Sequence, residues 1–409
     1  MKTSSATSRR SFLQTIGLGA AALGLKPVAH AAEKVIPGFE KTAADANTSK
    51  GWKPVSDRKI RVGIAGYGLC KFGAAFGFQD HPNVQVVAVS DLIPERSAGL
   101  AKDCRCDKTY PSLEEMVKDD SIEAVFVATD APSHARHCIE VLKHGKHVAT
   151  AVPAVWGSLE DAERVFEVVK TSGKKYMMFE TSCYHPELHA MREIYKAGGF
   201  GKLIYAEGEY YHTMPAPLAS YKDWRVGLPP QWYPTHATAY YVGVTGGSFT
   251  EVSCLGMPSK IPHLQAANNR YKNPFGTEIA SLRTSEGGMA RMAVSWDIFN
   301  TGREAGRIFG QQGTYEHKFQ QGTYGSKYQG VMKELPASAT RPPLPPSVQP
   351  GGHGGSHGYL MNEFVTAVLE NRQPLVNIAW ALNMTVAGIV AHQSALKDGE
   401  LLKIPQFKL

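Results

Sequence analysis

Residues Lys59–Asp91, KIRVGIAGYGLCKFGAAFGFQDHPNVQVVAVSD, decide the fold. Arg61–Ala65 is a short apolar run that reads as a buried parallel strand. Gly66-Tyr67-Gly68 follows as a tight turn, and Lys71–Phe78 reads as the start of a helix. Val84–Val89 is a second strand, ending at Ser90-Asp91. Strand, turn, helix, strand and terminal acid fall in the order of a βαβ dinucleotide fingerprint, which a glycine-rich turn in some other α/β protein does not require. Gly66 permits the turn. Gly68 has no side chain, so a pyrophosphate can approach the backbone, and the helix N-terminus offers free N–H groups and partial positive charge. The third glycine of the pattern is replaced by Lys71, with Gly73 two residues further on. Either the helix packs less tightly there or Lys71 faces a phosphate. Asp91 is placed to accept from both ribose hydroxyls and repels a 2′-phosphate, which favours NAD; Arg96 and Lys71 keep NADP as the alternative.

Outward from this stretch the alternation continues. Pro94–Asp103 is a helix, Lys108–Tyr110 a short strand, and Ser112 caps LEEMVKD with Glu115 in capping-box spacing. Ala124–Thr129 is another buried strand, His134–His144 a helix with Gly145 as its cap, and His147–Thr150 the next strand. Leu159–Ser172 is an amphipathic helix, Tyr176–Glu180 a strand and Pro186–Lys196 a helix. This spacing means an α/β, doubly wound parallel sheet. From Lys202 the texture becomes period two, in GKLIYAEGEYYH, SFTEVSCLGM, TEIASLRTSEGGMARMAVSWD and GTYEHKFQQGTYG. That predicts a C-terminal α+β domain with an open, mostly antiparallel sheet. Leu335–Gly358 reads as a long loop, and Tyr359–Glu370 and Asn377–Lys397 as helices that pack back on the body. The expected divisions are a leader over 1–31, an extended arm over 32–57, a Rossmann domain over 58–180 and a substrate and oligomerisation domain over 181–409. One face of the second sheet should be too apolar to stay wet, which predicts a homo-oligomer.

The chain has 409 residues, enough for two domains with their own cores, and its 43% hydrophobic and 20% charged content is ordinary for a globular protein. The formal charge is +7; without Lys2, Arg9, Arg10 and Lys26 of the leader it is +3, which argues against a nucleic-acid or membrane partner. Ser8-Arg9-Arg10-Ser11-Phe12-Leu13-Gln14 resembles the twin-arginine export motif. The apolar stretch Ile16–Leu25 is too short to span a bilayer, and Ala29-His30-Ala31 reads as a cleavage site. The expectation is a periplasmic or extracytoplasmic protein that holds its nucleotide tightly and restores it at each turnover. Six cysteines (Cys70, Cys104, Cys106, Cys138, Cys183 and Cys254) show no zinc spacing, read mostly as buried free thiols and predict no metal site.

The fingerprint, the GKHV strand end, the FGKL segment and the open sheet together resemble the glucose–fructose oxidoreductase / inositol dehydrogenase (Gfo/Idh/MocA) family over nearly all of the chain after the leader. Most dehydrogenases of that family have Glu-Lys-Pro after GKHV, where the lysine handles the alcohol proton. Here the triplet is Ala151-Val152-Pro153. A subgroup with Val-Pro, the NAD-dependent glycosidases of the α-N-acetylgalactosaminidase type, is similar in several other stretches. These are MMFETSCY ending at Tyr184, GEYYH with Tyr210 and His212, Trp224-Arg225, Tyr233-Pro234-Thr235-His236 and Gly352-His353-Gly354-Gly355. Departures from it are Thr181, Thr213, Trp296 before Asp297, and His357. Fingerprint and resemblance together place Gly66, Tyr67, Gly68, Cys70, Lys71, Asp91, Arg96, Thr129, His134, Val152, Pro153 and Thr181 at the cofactor. Tyr210, Arg225, Tyr233, Thr235, His236 and His353 are placed at the substrate.

The resemblance implies transient oxidation of a sugar at carbon 3, elimination, water addition and re-reduction. That route needs no pair of glycosidase carboxylates. It needs two or three acid–base groups beside one ring face, for which Tyr184, His212, Tyr233 and His236 are the candidates. Tyr184 or His212 would handle the carbon-2 proton; Tyr233 and His236 would serve the carbon-3 hydroxyl and the leaving group. The alternatives are an NAD(P)-dependent sugar oxidoreductase, forming a 3-keto sugar or shuttling hydride between two sugars, and a non-enzymatic sugar- or nucleotide-binding protein. Individually, each of these rings is also compatible with packing or solvent exposure.

Overall fold

The apolar run around Arg61–Ala65 becomes the centre of a six-stranded sheet in a computed structural model that describes residues 47–299, 303–320 and 323–409. The leader 1–31 and the arm up to residue 46 lie outside the described residues; Thr48 of the arm accepts from Leu344 N at 3.0 Å. The strands are β1 (Ile60–Ala65), β2 (Val84–Ser90), β3 (Thr109–Tyr110), β4 (Ala124–Val127), β5 (His147–Thr150) and β6 (Tyr176–Met178). All pair in parallel, in the order β3-β2-β1-β4-β5-β6. The winding therefore reverses between β1 and β4, where open α/β sheets form their ligand crevice. All four residues of β4 are buried, as in a strand covered on both faces. The helices of this part are α1 (Phe72–Ala75), α2 (Pro94–Asp103), α3 (Leu113–Met116), α4 (His134–Lys143) and α5 (Leu159–Ser172), and α6 (Pro186–Lys196) follows the last strand.

The fingerprint helix differs from its expectation. It is a single turn, with Lys71 at φ 49° before it and Gly77 at φ 79° ending it. One turn aligns too few peptide dipoles to serve as the phosphate-binding end of a helix, so that role falls to the turn itself. The close packing expected to be lost is supplied by Gly73, where a Cβ would stand 2.4 Å from Gly66 O. Lys71 Nζ lies 5.6 Å from the Tyr67 ring centroid.

The second sheet is β7 (Leu203–Tyr211), β8 (Phe249–Pro258), β9 (Phe275–Thr284), β10 (Met289–Ser295), β11 (Arg303–Gly310), β12 (Gly313–Gln320), β13 (Thr323–Gly330) and β14 (Leu402–Lys403). Its order is β13-β12-β11-β7-β10-β9-β8-β14, antiparallel except for the β7–β10 pair. On its inner face lies α7 (Thr235–Thr245), a helix the sequence did not announce. Thr235–Val244 is buried throughout, so no periodic stripe exists to be read. It sits directly on a pair of opposed glycines, Gly208 of β7 and Gly306 of β11. A Cβ at Gly208 would stand 2.0 Å from Ala237 O, and one at Gly306 2.1 Å from the Tyr240 ring.

Then come α8 (His357–Leu369) and α9 (Ile378–Ala395), the latter running under β8 and α7. The C-terminal segment returns to the first sheet, where Met178 N donates to Val376 O at 3.0 Å. One contiguous apolar cluster runs through both sheets. On the outer face of the second sheet Leu255 and Ile279 stand opposite one another and are exposed, with Met257 beside them. All six cysteines are free thiols. Among the described residues no helix is long and apolar enough to cross a membrane.

Candidate active site

The crevice at the C-terminal ends of β1 and β4 opens into a cleft of about 200 Å³. Gly66, Tyr67, Gly68, Cys70, Lys71, Asp91, Arg96 and Thr129 line it, together with Asp130, His137, Trp224 and Arg225. Gly66, at φ 104°, lies so close to the end of β4 that a Cβ would fall 2.3 Å from Ala128 O. A Cβ at Gly68 would meet no protein atom within 4 Å, since it would project into the cleft. That bare backbone is the cradle a pyrophosphate needs. Asp91 Oδ2 accepts from Tyr67 N at 2.7 Å and Oδ1 from Ile93 N at 2.9 Å, so the carboxylate is fixed at the edge of the cleft. These residues fit a dinucleotide, with Asp91 at the ribose and the 66–71 turn at the phosphates.

Beyond Cys70 and Arg225, rings from three elements converge. β7 carries Tyr210, and His212 follows it at the strand end. The turn before α7 supplies Tyr233, and the first turn of α7 supplies His236. The Tyr210 ring lies 4.6 Å from His236, 6.1 Å from Tyr233 and 6.2 Å from His212. The Arg225 guanidinium is 6.0 Å from the Tyr233 ring and joins this group to the nucleotide cleft. His353 reaches in from the loop before α8, with its ring 5.7 Å from Phe72 and Nδ1 2.9 Å from His357 Nε2.

Behind the rings are acids that the sequence reading did not single out. Glu180, fully buried after β6, places Oε1 2.8 Å from His236 Nδ1. Glu304 of β11 places Oε2 3.8 Å from the same nitrogen and 3.6 Å from His185 Nε2. Burial alone would lower the pKa of His236, but Glu180 and Glu304 outweigh it and raise it to about 9. His212 goes the other way: burial, with Arg225 adding to it, lowers its pKa. Burial pushes the Tyr233 phenol up to about 12 against the pull of Arg225, so it stays protonated as a donor. Two histidines of one ring cluster are thus held in opposite protonation states at neutral pH.

Several residues stand elsewhere than expected. Tyr184 turns toward α8, stacked 6.2 Å from Tyr359 with Arg192 5.6 Å from its ring, and its neighbour His185 faces the acids instead. His134 does not line the cleft. Its ring bridges Pro153 O at 2.8 Å and Thr129 O at 3.3 Å, because a buried imidazole between two carbonyl-bearing loops ties them together. The Val152–Pro153 peptide is cis, and these two residues also lie off the cleft lining, behind that tie. His137, bonded to Thr129 Oγ1 at 2.8 Å, is the histidine that lines the cleft. Thr181 Oγ1 lies 3.4 Å from His236 Nδ1, so it touches the acid–base group rather than the cofactor cleft. Thr235 is buried against Glu180, beneath the substrate side of the cluster.

Residues 60–180 match a family model described as an oxidoreductase family, NAD-binding Rossmann fold. The chain is 29% identical over 178 residues to a glycosyl hydrolase family 109 protein of Porphyromonas gingivalis, covering 41% of this chain and 38% of that one. It is 31% identical over 181 residues to glycosyl hydrolase family 109 protein 1 of Bacteroides fragilis, with the same two shares. The match thus spans under half the length of these relatives. Among solved structures, levoglucosan dehydrogenase in complex with NADH and levoglucosan superposes with a TM-score of 0.67 at 17% identity, over 86% of this chain and 100% of that one. The WlbA dehydrogenase from Bordetella pertussis in complex with NADH and UDP-GlcNAcA gives 0.68 at 16%, over 87% and 100%. At these identities the likeness is one of fold. Residues 60–180 are thus similar to the Gfo/Idh/MocA oxidoreductase family of NAD-binding Rossmann folds, and the likeness of fold extends over 86% of the chain.

Proposed function

We propose that the protein is an exported, NAD-dependent glycosidase acting on a small carbohydrate glycoside through transient oxidation at carbon 3. One observation carries the reading: a neutral His212 and a cationic His236 flank Tyr210 beside the nucleotide cleft, while position 152 is a valine that can neither take nor give a proton. An alcohol oxidation alone needs one base; elimination of a glycoside also needs an acid for the leaving oxygen. NAD, when bound, supplies the removal and return of the hydride. His212 takes the carbon-3 hydroxyl proton as the hydride leaves, passes it to solvent, and then takes the carbon-2 proton, made acidic by the neighbouring ketone. His236 gives its Nε2 proton to the glycosidic oxygen. Tyr233, a protonated donor, holds the carbon-3 oxygen, and Arg225 holds a substrate hydroxyl against the cleft wall. The fixed Asp91 carboxylate favours NAD over NADP. The glycosyl hydrolase family 109 relatives support this reading over a simple sugar oxidoreductase. The Ser8–Gln14 motif supports twin-arginine export.

The test uses the full chain purified without added nucleotide. Nucleotide released on denaturation is identified, and native protein is incubated with a panel of aryl glycosides in heavy water. Free aglycone with deuterium at carbon 2 supports the reading. A 3-keto sugar with no aglycone replaces it with an oxidoreductase, and a chain that changes no sugar is a binding protein.

A further inference from the structure

The acids behind the rings belong to a longer series. His236 Nδ1 faces Glu304 Oε2 at 3.8 Å, and that oxygen also accepts from Ser182 Oγ at 2.9 Å. His185 bridges two carboxylates with its two different nitrogens: Nε2 stands 3.6 Å from Glu304 Oε2 and Nδ1 stands 3.5 Å from Glu187 Oε1. Glu187 Oε1 in turn lies 3.8 Å from His317 Nε2 on β12. Side-chain exposure is 0% at Glu180, 4% at His236, 11% at Glu304, 8% at His185, 13% at Glu187 and 11% at His317, so every group beyond His236 stands nearer to solvent than His236 does. Acid and imidazole alternate throughout, so a neutral imidazole can donate from one nitrogen to a carboxylate and accept at the other from a protonated one. A movement of about 1 Å brings every pair to the roughly 2.7–2.9 Å of a charge-assisted hydrogen bond.

We propose that Glu304, His185, Glu187 and His317 form a proton relay connecting His236 to solvent on the side of the site away from the nucleotide. It rests on the proposed role of His236 as the proton-handling group of the site. When a proton enters His236 at Nε2, the Nδ1–H bond breaks and the proton joins Glu304. It moves to Nε2 of His185 as the Nδ1 proton of that ring passes to Glu187, and from there to His317 and water. Each step breaks one N–H or O–H bond and forms another, so one proton passes from Nε2 of His236 to water. The other charged and titratable groups facing this path include Glu180, Tyr240, Arg341, His353 and His357. Gly354 closes the path from the loop side, since a Cβ there would lie 2.9 Å from His185 Cδ2. The raised pKa of His185, which its carboxylate neighbours produce against burial, accords with its carrying a proton.

A reference for the test lies in the same chain. His392 Nδ1 is 2.7 Å from Glu278 Oε1 and its side chain is 6% exposed, a second buried pair with no further imidazole attached to it among the described residues. Exchange of both Nδ1 protons with water is measured by nitrogen-15 NMR on the full chain without substrate. The relay predicts faster exchange at His236 than at His392, and a slowing at His236 of about tenfold or more in His185→Gln and in Glu187→Gln. Glu187→Gln, at the rim, carries the test should His185→Gln not fold. Exchange at His236 no faster than at His392, or unmoved in the variants, overturns the relay. Turnover that survives His236→Gln overturns the proposed role of His236 instead, and leaves the exchange result standing.

Discussion

Replacing Glu180 with glutamine tests the electrostatics of the site without a substrate. The wild-type imidazolium of His236 is stabilised by Glu180 at 2.8 Å and Glu304 at 3.8 Å. Its pKa moves from 6.5 to about 9, worth on the order of 3 kcal/mol at 1.36 kcal/mol per pH unit. The folded value lies above the unfolded one, so this contribution is complete below pH ~6.5 and is lost as pH rises through 9. Glu180 is held below its ordinary value by His236, against its burial, and loses its part of the same interaction only in acid. Glutamine keeps the shape and a hydrogen-bond acceptor but removes the nearer charge, leaving the more distant Glu304. Urea unfolding at pH 6 and pH 9.5 should therefore show wild type losing about 3 kcal/mol across the interval and Glu180→Gln losing less than about half of that. The difference between the two proteins should be largest at pH 6. Parallel profiles would mean His236 is neutral in the folded protein, and the assignment of acid and base to His236 and His212 would fall with it.

Other expected outcomes are independent of that pair. Tyr233→Phe should abolish turnover while leaving bound NAD intact, since the phenol faces Arg225 and the rings rather than the phosphate turn; turnover within about twofold of wild type would remove Tyr233 from the chemistry. Asp91→Asn keeps an oxygen for Tyr67 N but removes the charge that repels a 2′-phosphate. Fluorescence titration should show NAD weakened by about 1.5–3 kcal/mol and the preference moved toward NADP; an unchanged NAD-to-NADP ratio refutes Asp91 as the selector. The outer face of the second sheet sets Leu255 opposite Ile279, 66% and 44% exposed, and wild type is expected to be a homo-oligomer through it. Light scattering should report monomers for Leu255→Asp with Ile279→Asp; a wild type already monomeric at micromolar concentration refutes the interface.

The parts of this molecule that were legible in the sequence are those whose cause is local. Pro94–Asp103 and Leu159–Ser172 carry their own starts, stops and one-sided burial, and the structure places both at the expected residues. The dinucleotide cleft was legible because a phosphate cradle is a matter of neighbouring residues. Even there, the length of α1 depends on Gly77, which ends it after one turn, and the tight contact moved to Gly73 because only the approach to Gly66 O decides which glycine is needed. α7 was invisible because burial on all sides erases the periodic stripe, and the reason it can lie so deep is a pair of glycines on two strands about a hundred residues apart.

The same distinction separates the rings of the site from their protonation states. Tyr210, His212, Tyr233 and His236 were found from short motifs, whereas spacing alone did not reveal that His185 rather than Tyr184 would face the acids. The one local clue to Glu180 was an acid at the end of an otherwise apolar strand, and its partner His236 lies 56 positions away. Glu304 meets Ser182 across 122 positions, from a stretch with no motif at all. What raises the pKa of one histidine and lowers that of the other is therefore written in contacts that only the fold brings together. Substitutions at Glu180 and Glu304 should alter the chemistry while leaving every motif of the sequence intact.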